Sequence, residues 1–180
     1  MFRQCNLFRR RRPDTRHAHS PHMFAVQDNG STATLLWTTQ VPTGLQAAAV
    51  VDPRGGLWIY TILLPWLYHL NAQTGSIMET INVSKLVAGQ YLDVPSSALS
   101  ITGSPTSPVL ILGTESLNLL ASYVIAIDLV THSLVWEFNL APSLISDFSA
   151  GQFPIVLTTA GEPAVVFSTY NEGAYFLTNP

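Results

Sequence analysis

Two stretches of this 180-residue chain repeat one pattern at a constant offset of 57 residues, and this repeat limits the possible folds more than any other feature. Residues 70–77 align without a gap on residues 127–134, and the match continues through 81–83 against 138–140. Each copy has an apolar strand ending in Asn or Asp, a turn that contains Thr, and a second apolar strand. A repeated strand–turn–strand unit predicts a stack of similar sheets.

The turn residues of the two copies predict how the chain reverses direction. Each turn begins with an Asn or Asp that can accept hydrogen bonds from the backbone two residues further on, and its Thr can do so more weakly. Gly75 supplies a positive φ in the first copy, whereas the second has His132, so we expect the second turn to be slightly strained or differently shaped. The strand after the second turn carries Trp136, and a similar Leu-Leu-Trp run ends at Trp37. The first copy has Glu79 at the position of Trp136. The structural repeat positions are therefore Trp37, Asn71, Thr74, Gly75, Asp128, Thr131 and Trp136.

From about Phe24 onward, short runs of β-branched, aromatic and aliphatic residues alternate with turn residues, a pattern typical of β-strands. Prolines fall between these runs or at their edges, as expected of a residue that cannot donate to a ladder. Four strands recurring every ~40–60 residues predict an all-β chain, a β-propeller of four-stranded antiparallel blades with about three blades present. The predicted strands are 33–40, 45–51, 57–63, 67–71, 77–83, 97–102, 108–113, 122–128, 134–140, 153–159, 164–169 and 174–178.

The runs LYHLNAQTG at 67–75 and VIAIDLVT at 124–131, the second followed by Trp136, resemble the PQQ-type repeat. In that repeat an apolar strand ends in Asp or Asn, a Thr-Gly turn follows, and the next strand carries Trp. The resemblance implies a propeller of the quinoprotein alcohol dehydrogenase-like superfamily. It spans about residues 33–178, and only the second unit has the Asp together with the Trp.

The blade count and the two ends of the chain predict an incomplete ring. Residues 33–40 are expected to be an outermost strand that lacks its own blade, and 174–178 a third strand that lacks its outermost partner. Such strands exchange to close propeller rings in this superfamily, but propellers have about four to eight blades. We expect residues 24–180 to be a partial propeller, with two alternatives: a ring closed by a second chain, or an open arc whose unpaired edges self-associate.

The charges divide the chain into two segments with different properties. Residues 1–16 contain six arginines and one aspartate, hence +5, whereas residues 17–180 contain two basic and ten acidic side chains, hence −8. Residues 17–180 have only two cationic side chains and cannot neutralise a phosphate backbone, so we predict that they do not bind nucleic acid. The longest apolar run, 57–67, is interrupted and too short for a membrane helix of about 20 residues, so no membrane span is predicted.

Residues 1–23 are predicted to be a basic disordered leader. An Arg-rich leader also fits a transit peptide or a nuclear address, whereas the apolar region of a secretory signal is missing from it. Its Cys5 is the only cysteine of the chain, so neither an intrachain disulfide nor a Cys-based zinc site is predicted. Glycosylation patterns begin at Asn29 and Asn82 and favour the secretory pathway or an organelle lumen weakly.

The resemblance also states what a quinone-dependent enzyme would require. It implies a calcium ion held by carboxylate and amide oxygens, a catalytic Asp, a Trp under the quinone and often adjacent cysteines, which this chain lacks. Trp37 and Trp136 are instead expected to wedge between blades. We expect His69 to pack within a strand and His132 to lie in a solvated turn, and we assign neither catalytic nor metal-binding residues.

These observations favour a non-catalytic propeller scaffold without a cofactor, part of a larger PQQ-repeat protein, that binds an unidentified protein or ligand. One alternative is a fragment of an oxidoreductase that depends on PQQ and calcium. Another is a secreted or envelope propeller that binds sugars or proteins. Loops at strand ends often carry function, so a binding surface is expected among 84–96, 103–107, 114–121 and 141–152.

Overall fold

The computed structural model describes residues 22–42, 49–61, 65–87, 94–95, 99–116, 121–140, 155–159, 162–169 and 173–178. Within these residues the chain consists of β-strands and connecting turns, with one short 3-10 helix at Val83–Lys85. The strands are β1 (His22–Asp28), β2 (Ala33–Gln40), β3 (Val50–Val51), β4 (Leu57–Tyr60), β5 (Trp66–Leu70), β6 (Ile77–Asn82), β7 (Val94–Pro95), β8 (Ser100–Ser104), β9 (Ser107–Ser116), β10 (Ala121–Asp128), β11 (Ser133–Leu140), β12 (Ile155–Thr159), β13 (Glu162–Thr169) and β14 (Gly173–Thr178).

The strands form four antiparallel sheets, which we number in chain order. Sheet I is the hairpin β1–β2, and sheet II has the order β3-β4-β5-β6. Sheet III has the order β11-β10-β9-β7, with β8 also paired to β9, and sheet IV has the order β12-β13-β14. The predicted all-β fold class with antiparallel sheets is confirmed, and sheet II has the four strands predicted for a blade.

Each predicted strand corresponds to an observed strand, with shifts of a few residues at its ends. Parts of the predicted strands at 45–51 and 57–63 lie outside the described residues, as do residues 1–21 and the predicted loop 141–152. Two strands were not predicted, namely β1 and β7. β1 begins at His22, so the last two residues of the expected leader belong to a strand.

Residues 33–40 were expected to lack a blade of their own, and the structure pairs β2 with β1 along its length in a sheet of two described strands. In β1 the alternate residues Met23 and Ala25 are buried against sheet II, which is the period of a half-buried strand. The sequence pattern was hard to recognise because this strand follows directly on the arginine- and histidine-rich stretch.

Three hairpins share one irregularity, a β-bulge at the same place in the strand pairing. It lies one step beyond the pairs Ala25–Trp37 in sheet I, His69–Glu79 in sheet II and Ala126–Trp136 in sheet III. A β-bulge sets two residues of one strand against one of its partner and bends the strand. The common register means that positions 37, 79 and 136 are structurally equivalent.

Sheet IV repeats the backbone register of sheet III, as the sequence repeat predicts for successive blades. Pro163 of β13 pairs with Thr158, just as Pro108 of β9 pairs with Gly103. In both sheets the proline is the second residue of its strand, a position where a missing backbone donor is tolerated.

Sheet II is covered on both faces, and β4 shows how this arises. Successive side chains of a strand point to opposite faces. Leu57 and Ile59 of β4 pack in a core with sheet I, whereas Trp58 and Tyr60 pack in a second core with sheet III. Burial on both faces leaves few positions for charged side chains, which accounts for the low charge of the body.

Candidate functional site

The repeated turns lie where neighbouring sheets meet, and the first such contact joins sheets I and II. Trp37 of β2 is buried and donates from its indole Nε1 to the carbonyl oxygen of Ala72 at 2.9 Å. Thr39 donates from its hydroxyl to the carbonyl oxygen of Gly75 at 2.6 Å. We call this contact, made by Trp37 and Thr39 on the turn at 71–76, the indole joint.

The turn in the indole joint is built by its own side chains. The side-chain oxygen of Asn71 accepts hydrogen bonds from the backbone amides of Gln73 at 2.8 Å and Thr74 at 3.0 Å. The hydroxyl of Thr74 lies 2.9 Å from that of Ser76. Gly75 has φ +72°, and a Cβ atom there would overlap the Trp37 ring. The indole joint therefore requires glycine at this position for both its backbone conformation and its lack of a side chain.

The corresponding turn of sheet III has the same construction. Asp128 accepts hydrogen bonds from the backbone amides of Thr131 at 2.8 Å and Val130 at 2.7 Å. These two bonds hold the pKa of Asp128 below its usual value. The Thr131 hydroxyl lies 2.7 Å from that of Ser133. His132 adopts φ 54°, so this turn keeps the left-handed backbone conformation. A residue with a side chain is strained in that conformation, whereas glycine is not.

The contact between sheets II and III uses different chemistry at equivalent positions. His132 Nε2 lies 3.2 Å from an oxygen of Glu79, the residue of β6 that is equivalent to Trp37. Arg54 donates from Nη1 to the carbonyl oxygen of Leu129 at 3.0 Å. His132 lies in a turn with its side chain 39% exposed, as expected, and its ring also reaches across to the neighbouring sheet. We call the contact made by Asp52, Arg54, His69, Glu79 and His132 the polar joint.

The two joints use the same acceptor in the repeated turn. Ala72 and Leu129 occupy equivalent positions, 57 residues apart. The carbonyl of Ala72 accepts from an indole nitrogen, and that of Leu129 accepts from a guanidinium nitrogen. A donor from the preceding part of the chain thus satisfies this carbonyl in both joints, but it comes from a strand in the indole joint and from a turn in the polar joint.

A buried carboxylate fixes the arginine of the polar joint. Asp52 is 1% exposed and accepts hydrogen bonds from the Arg54 guanidinium at 2.8 Å, the Arg54 backbone amide at 2.7 Å and the Trp58 indole at 2.7 Å. Burial raises the pKa of Asp52, but the bonds from Arg54 and Trp58 outweigh burial, so the pKa lies below its usual value. Asp52 is therefore a charged, hydrogen-bonded group inside the protein.

His69 lies between the two carboxylates of the polar joint. Its ring stacks on Trp58 with a centroid distance of 4.6 Å and an angle of 7°. Nε2 lies 2.9 Å from the carbonyl oxygen of Gly55 and 3.4 Å from Asp52, and Nδ1 lies 3.5 Å from Glu79. Among the described residues, Nδ1 is a buried nitrogen without a hydrogen-bond partner. The expected packing of His69 within a strand is observed, and it is accompanied by these polar contacts.

The structure does not give Trp136 the buried position of Trp37. Both residues pair with an alanine next to the bulge of their hairpin, but Trp136 is half-buried. Of the seven repeat positions, Trp37 and Gly75 meet directly, whereas Asn71, Thr74, Asp128 and Thr131 build the two turns.

Sequence reasoning missed Asp52 and the joining role of Arg54. Both lie in the turn between β3 and β4, which belongs to no motif. The available signal was Glu79 at a Trp position together with His132 at a Gly position, because two polar replacements within one repeat indicate a changed contact.

The part of the chain that the structure describes lacks two features. No group of three or more His, Cys, Asp or Glu side chains is arranged there to hold a metal ion. No helix in that part is long and apolar enough to cross a membrane.

Comparison with known proteins gives a likeness among solved structures. No family model matches the chain, and no curated protein matches it. Among solved structures, the Dos1 propeller is similar, with a TM-score of 0.47 and 17% sequence identity over 81% of this chain. The chain spans 37% of the length of that propeller chain. The sheets themselves define an all-β protein of stacked antiparallel sheets.

Proposed function

We propose that this chain is part of a non-catalytic β-propeller scaffold with PQQ-like repeats, and that its outer rim binds a protein partner without a cofactor. The rim consists of the outermost strands β2, β6 and β11 with the turn before β11. Of the eight large hydrophobic side chains that are exposed among the described residues, seven lie on this rim: Leu35, Leu36, Ile77, Met78, Val130, Val135 and Phe138. Exposed apolar residues that concentrate on one part of a surface are typical of interaction sites.

The shared bulge gives the rim its apolar character. Because two residues of the outer strand oppose one residue of its neighbour, consecutive side chains can both avoid the core. Leu35 and Leu36 are 60% and 51% exposed, and Ile77 and Met78 are 41% and 45% exposed. A regular strand would turn every second side chain inward.

The assignment to PQQ-like repeats is supported by the hairpins. Each carries the same bulge, each begins its turn with an Asx side chain that accepts a backbone hydrogen bond, and one sets a Trp on a turn glycine. These contacts use the repeat residues for packing and turn formation, which favours a scaffold over a cofactor site.

The rim is tested by comparing two variants for retained partners. In the first, Leu36→Ser, Met78→Ser and Val135→Ser are combined; in the control, Val51→Ser changes a 64% exposed residue on β3, away from the rim. Affinity purification of the tagged full chain with quantitative mass spectrometry should identify a protein that wild type and the control retain and the rim variant loses. If the rim variant retains every protein that wild type retains, the rim is not the binding surface.

The cofactor part of the proposal has its own test. PQQ and Ca²⁺ added to the purified chain should change neither its melting temperature nor its absorbance spectrum. A raised melting temperature together with bound-quinone absorbance would instead identify a fragment of a quinone-dependent oxidoreductase.

A further inference from the structure

The hairpins that carry the apolar rim also carry the exposed carboxylates of the described residues. Five acidic residues have side chains that the structure describes, and one of them, Asp52, is buried against Arg54. The other four lie on the outer strands or in the hairpins that contain them: Asp28, Glu79, Asp128 and Glu137. The outer hairpins, β1–β2, β5–β6 and β10–β11, therefore combine exposed apolar side chains with negative charge.

Lysine and arginine side chains do not offset this charge at the rim. Residues 17–180 contain two of them, Arg54 and Lys85. The Arg54 guanidinium is bound to Asp52 and to the carbonyl oxygen of Leu129. Lys85 is the last residue of the 3-10 helix that follows β6, outside the rim. An occupant that complements the rim must bring positive charge together with apolar side chains.

One segment of this chain has that composition, namely residues 1–16, which we call the basic segment. It has six arginines and a net charge of +5, against −8 for the rest of the chain. Its apolar residues Phe2, Leu7 and Phe8 precede the four arginines at 9–12. The rim of a second copy fits less well, because two rims face to face would set like charges against each other.

The basic segment also joins the described structure beside the rim. β1 begins at His22, which pairs with Gln40 at the end of the outer strand β2. Gln40 lies about 17 Å along the strand from the exposed Leu35, at about 3.3 Å per residue. The ten residues from Arg12 to His22 can span up to about 33 Å when extended. The arginines can therefore reach the rim of their own chain.

We propose that the basic segment binds the outer rim of its own chain, with its arginines toward the carboxylates and its apolar side chains on the exposed apolar residues. The proposal rests on the rim being a binding surface, as in the proposed function. It adds that the partner and the basic segment compete for this surface. Because the carboxylates at the rim are exposed, salt should weaken the contact.

Cys5 provides the probe, because it is the only cysteine of the chain and lies in the basic segment. A photo-activated cross-linker attached to Cys5 in the full chain should react with the outer hairpins, within one chain, as located by peptide mass spectrometry. Combining Arg9→Gln, Arg10→Gln, Arg11→Gln and Arg12→Gln keeps the length and the apolar residues, and these cross-links should be lost. They should also be lost in about 1 M salt, where the screening length is about 3 Å.

A variant of the rim and a matched control complete the experiment. Asp28→Asn combined with Glu137→Gln removes two exposed charges from the outer hairpins and keeps the acceptor oxygen that binds the Gly30 amide, so the cross-links should decrease. Lys85→Gln removes a charge outside both the basic segment and the rim and should leave them unchanged. Cross-links spread evenly over the body, unchanged in the arginine variant, or joining two chains would each overturn the proposal.

The failure of this proposal and that of the proposed function are distinguishable. Cross-links from Cys5 to the outer hairpins, with no protein lost by the rim variant in affinity purification, would support the basic segment and count against the protein partner. A protein that only the rim variant loses, with cross-links spread evenly over the body, would support the partner and overturn the role of the basic segment.

Discussion

Sheet II is joined to its two neighbours by contacts of opposite chemical character. Toward sheet I, an indole ring lies on a glycine and donates one neutral hydrogen bond. Toward sheet III, a carboxylate lies between two imidazoles, and an arginine makes the equivalent hydrogen bond. Backbone pairing, bulge and turn are nevertheless the same in the hairpins concerned.

Three side-chain positions determine the chemical character of each joint. In the indole joint they hold Ala25, Trp37 and Gly75: a small residue beside a large one, opposite no side chain at all. In the polar joint the equivalent positions hold His69, Glu79 and His132. Each set is internally consistent, because a large ring needs an empty turn position and a carboxylate needs a donor there.

Removing the indole ring of Trp37 should cause the largest loss in the free energy of unfolding. Trp37→Ala should lower the free energy of unfolding by about 3–5 kcal/mol, because it leaves a cavity and an unpaired carbonyl at Ala72. Trp136→Ala is the matched control, since it removes the same side chain from the equivalent position where it is half-buried. Guanidinium denaturation should give a clearly smaller loss for Trp136→Ala, and equal losses would contradict the buried role of Trp37.

Breaking the buried ion pair should have the next largest effect, now on the polar joint. Asp52→Ala leaves Arg54 and the Trp58 indole without their acceptor and should lower the free energy of unfolding by about 3 kcal/mol. Denaturation at neutral pH measures the loss. A change below about 1 kcal/mol, the size typical of an exposed ion pair, would show that the buried site contributes no more than a surface contact.

The same carboxylate predicts a dependence on acid. Because the pKa of Asp52 is lower in the folded than in the unfolded chain, its contribution is present above the unfolded-state pKa and is lost as the pH falls through the folded-state pKa. Asp52→Asn should therefore lose less stability than wild type on acidification below about pH 4. An equal loss of unfolding free energy on acidification in the two proteins would contradict this assignment.

A methyl group at the turn glycine should have an intermediate effect. Gly75→Ala adds a Cβ at φ +72° that overlaps the Trp37 ring, and it should lower the free energy of unfolding by about 2 kcal/mol. Gly30→Ala is a useful control, since Gly30 also has a positive φ but has open space around its Cβ position. Its loss should contain the backbone strain alone and be smaller.

The reverse substitution in the other turn should have the smallest effect. His132→Gly relieves the strain at φ 54° but removes a half-exposed contact with Glu79. The two contributions oppose one another, so the free energy of unfolding should change by less than about 1 kcal/mol. A loss as large as that of Gly75→Ala would mean that the contact with Glu79 is much stronger than its exposure indicates.

Sequence reasoning predicted the strands well, because turn residues and proline placement mark strand ends locally. It also singled out Glu79 and His132 as departures from the repeat, through the alignment of 70–77 with 127–134. It could not place them in contact, since the two residues lie 53 positions apart and meet only when the sheets stack. Asp52 was missed for another reason: an acidic residue before Pro-Arg-Gly-Gly has the pattern of a solvated turn, whereas in the structure it is buried and bound by Arg54 and Trp58.

The backbone carbonyls at the equivalent turn positions Ala72 and Leu129 have a consequence for how repeat chains diverge in sequence. This acceptor binds different donors, an indole in one joint and a guanidinium in the other, while the backbone of the turn is the same. The side chains that join neighbouring sheets can therefore differ while the strand pairing within the sheets stays the same. The residue that donates to this carbonyl therefore distinguishes one pair of neighbouring sheets from the next, although their backbones are alike.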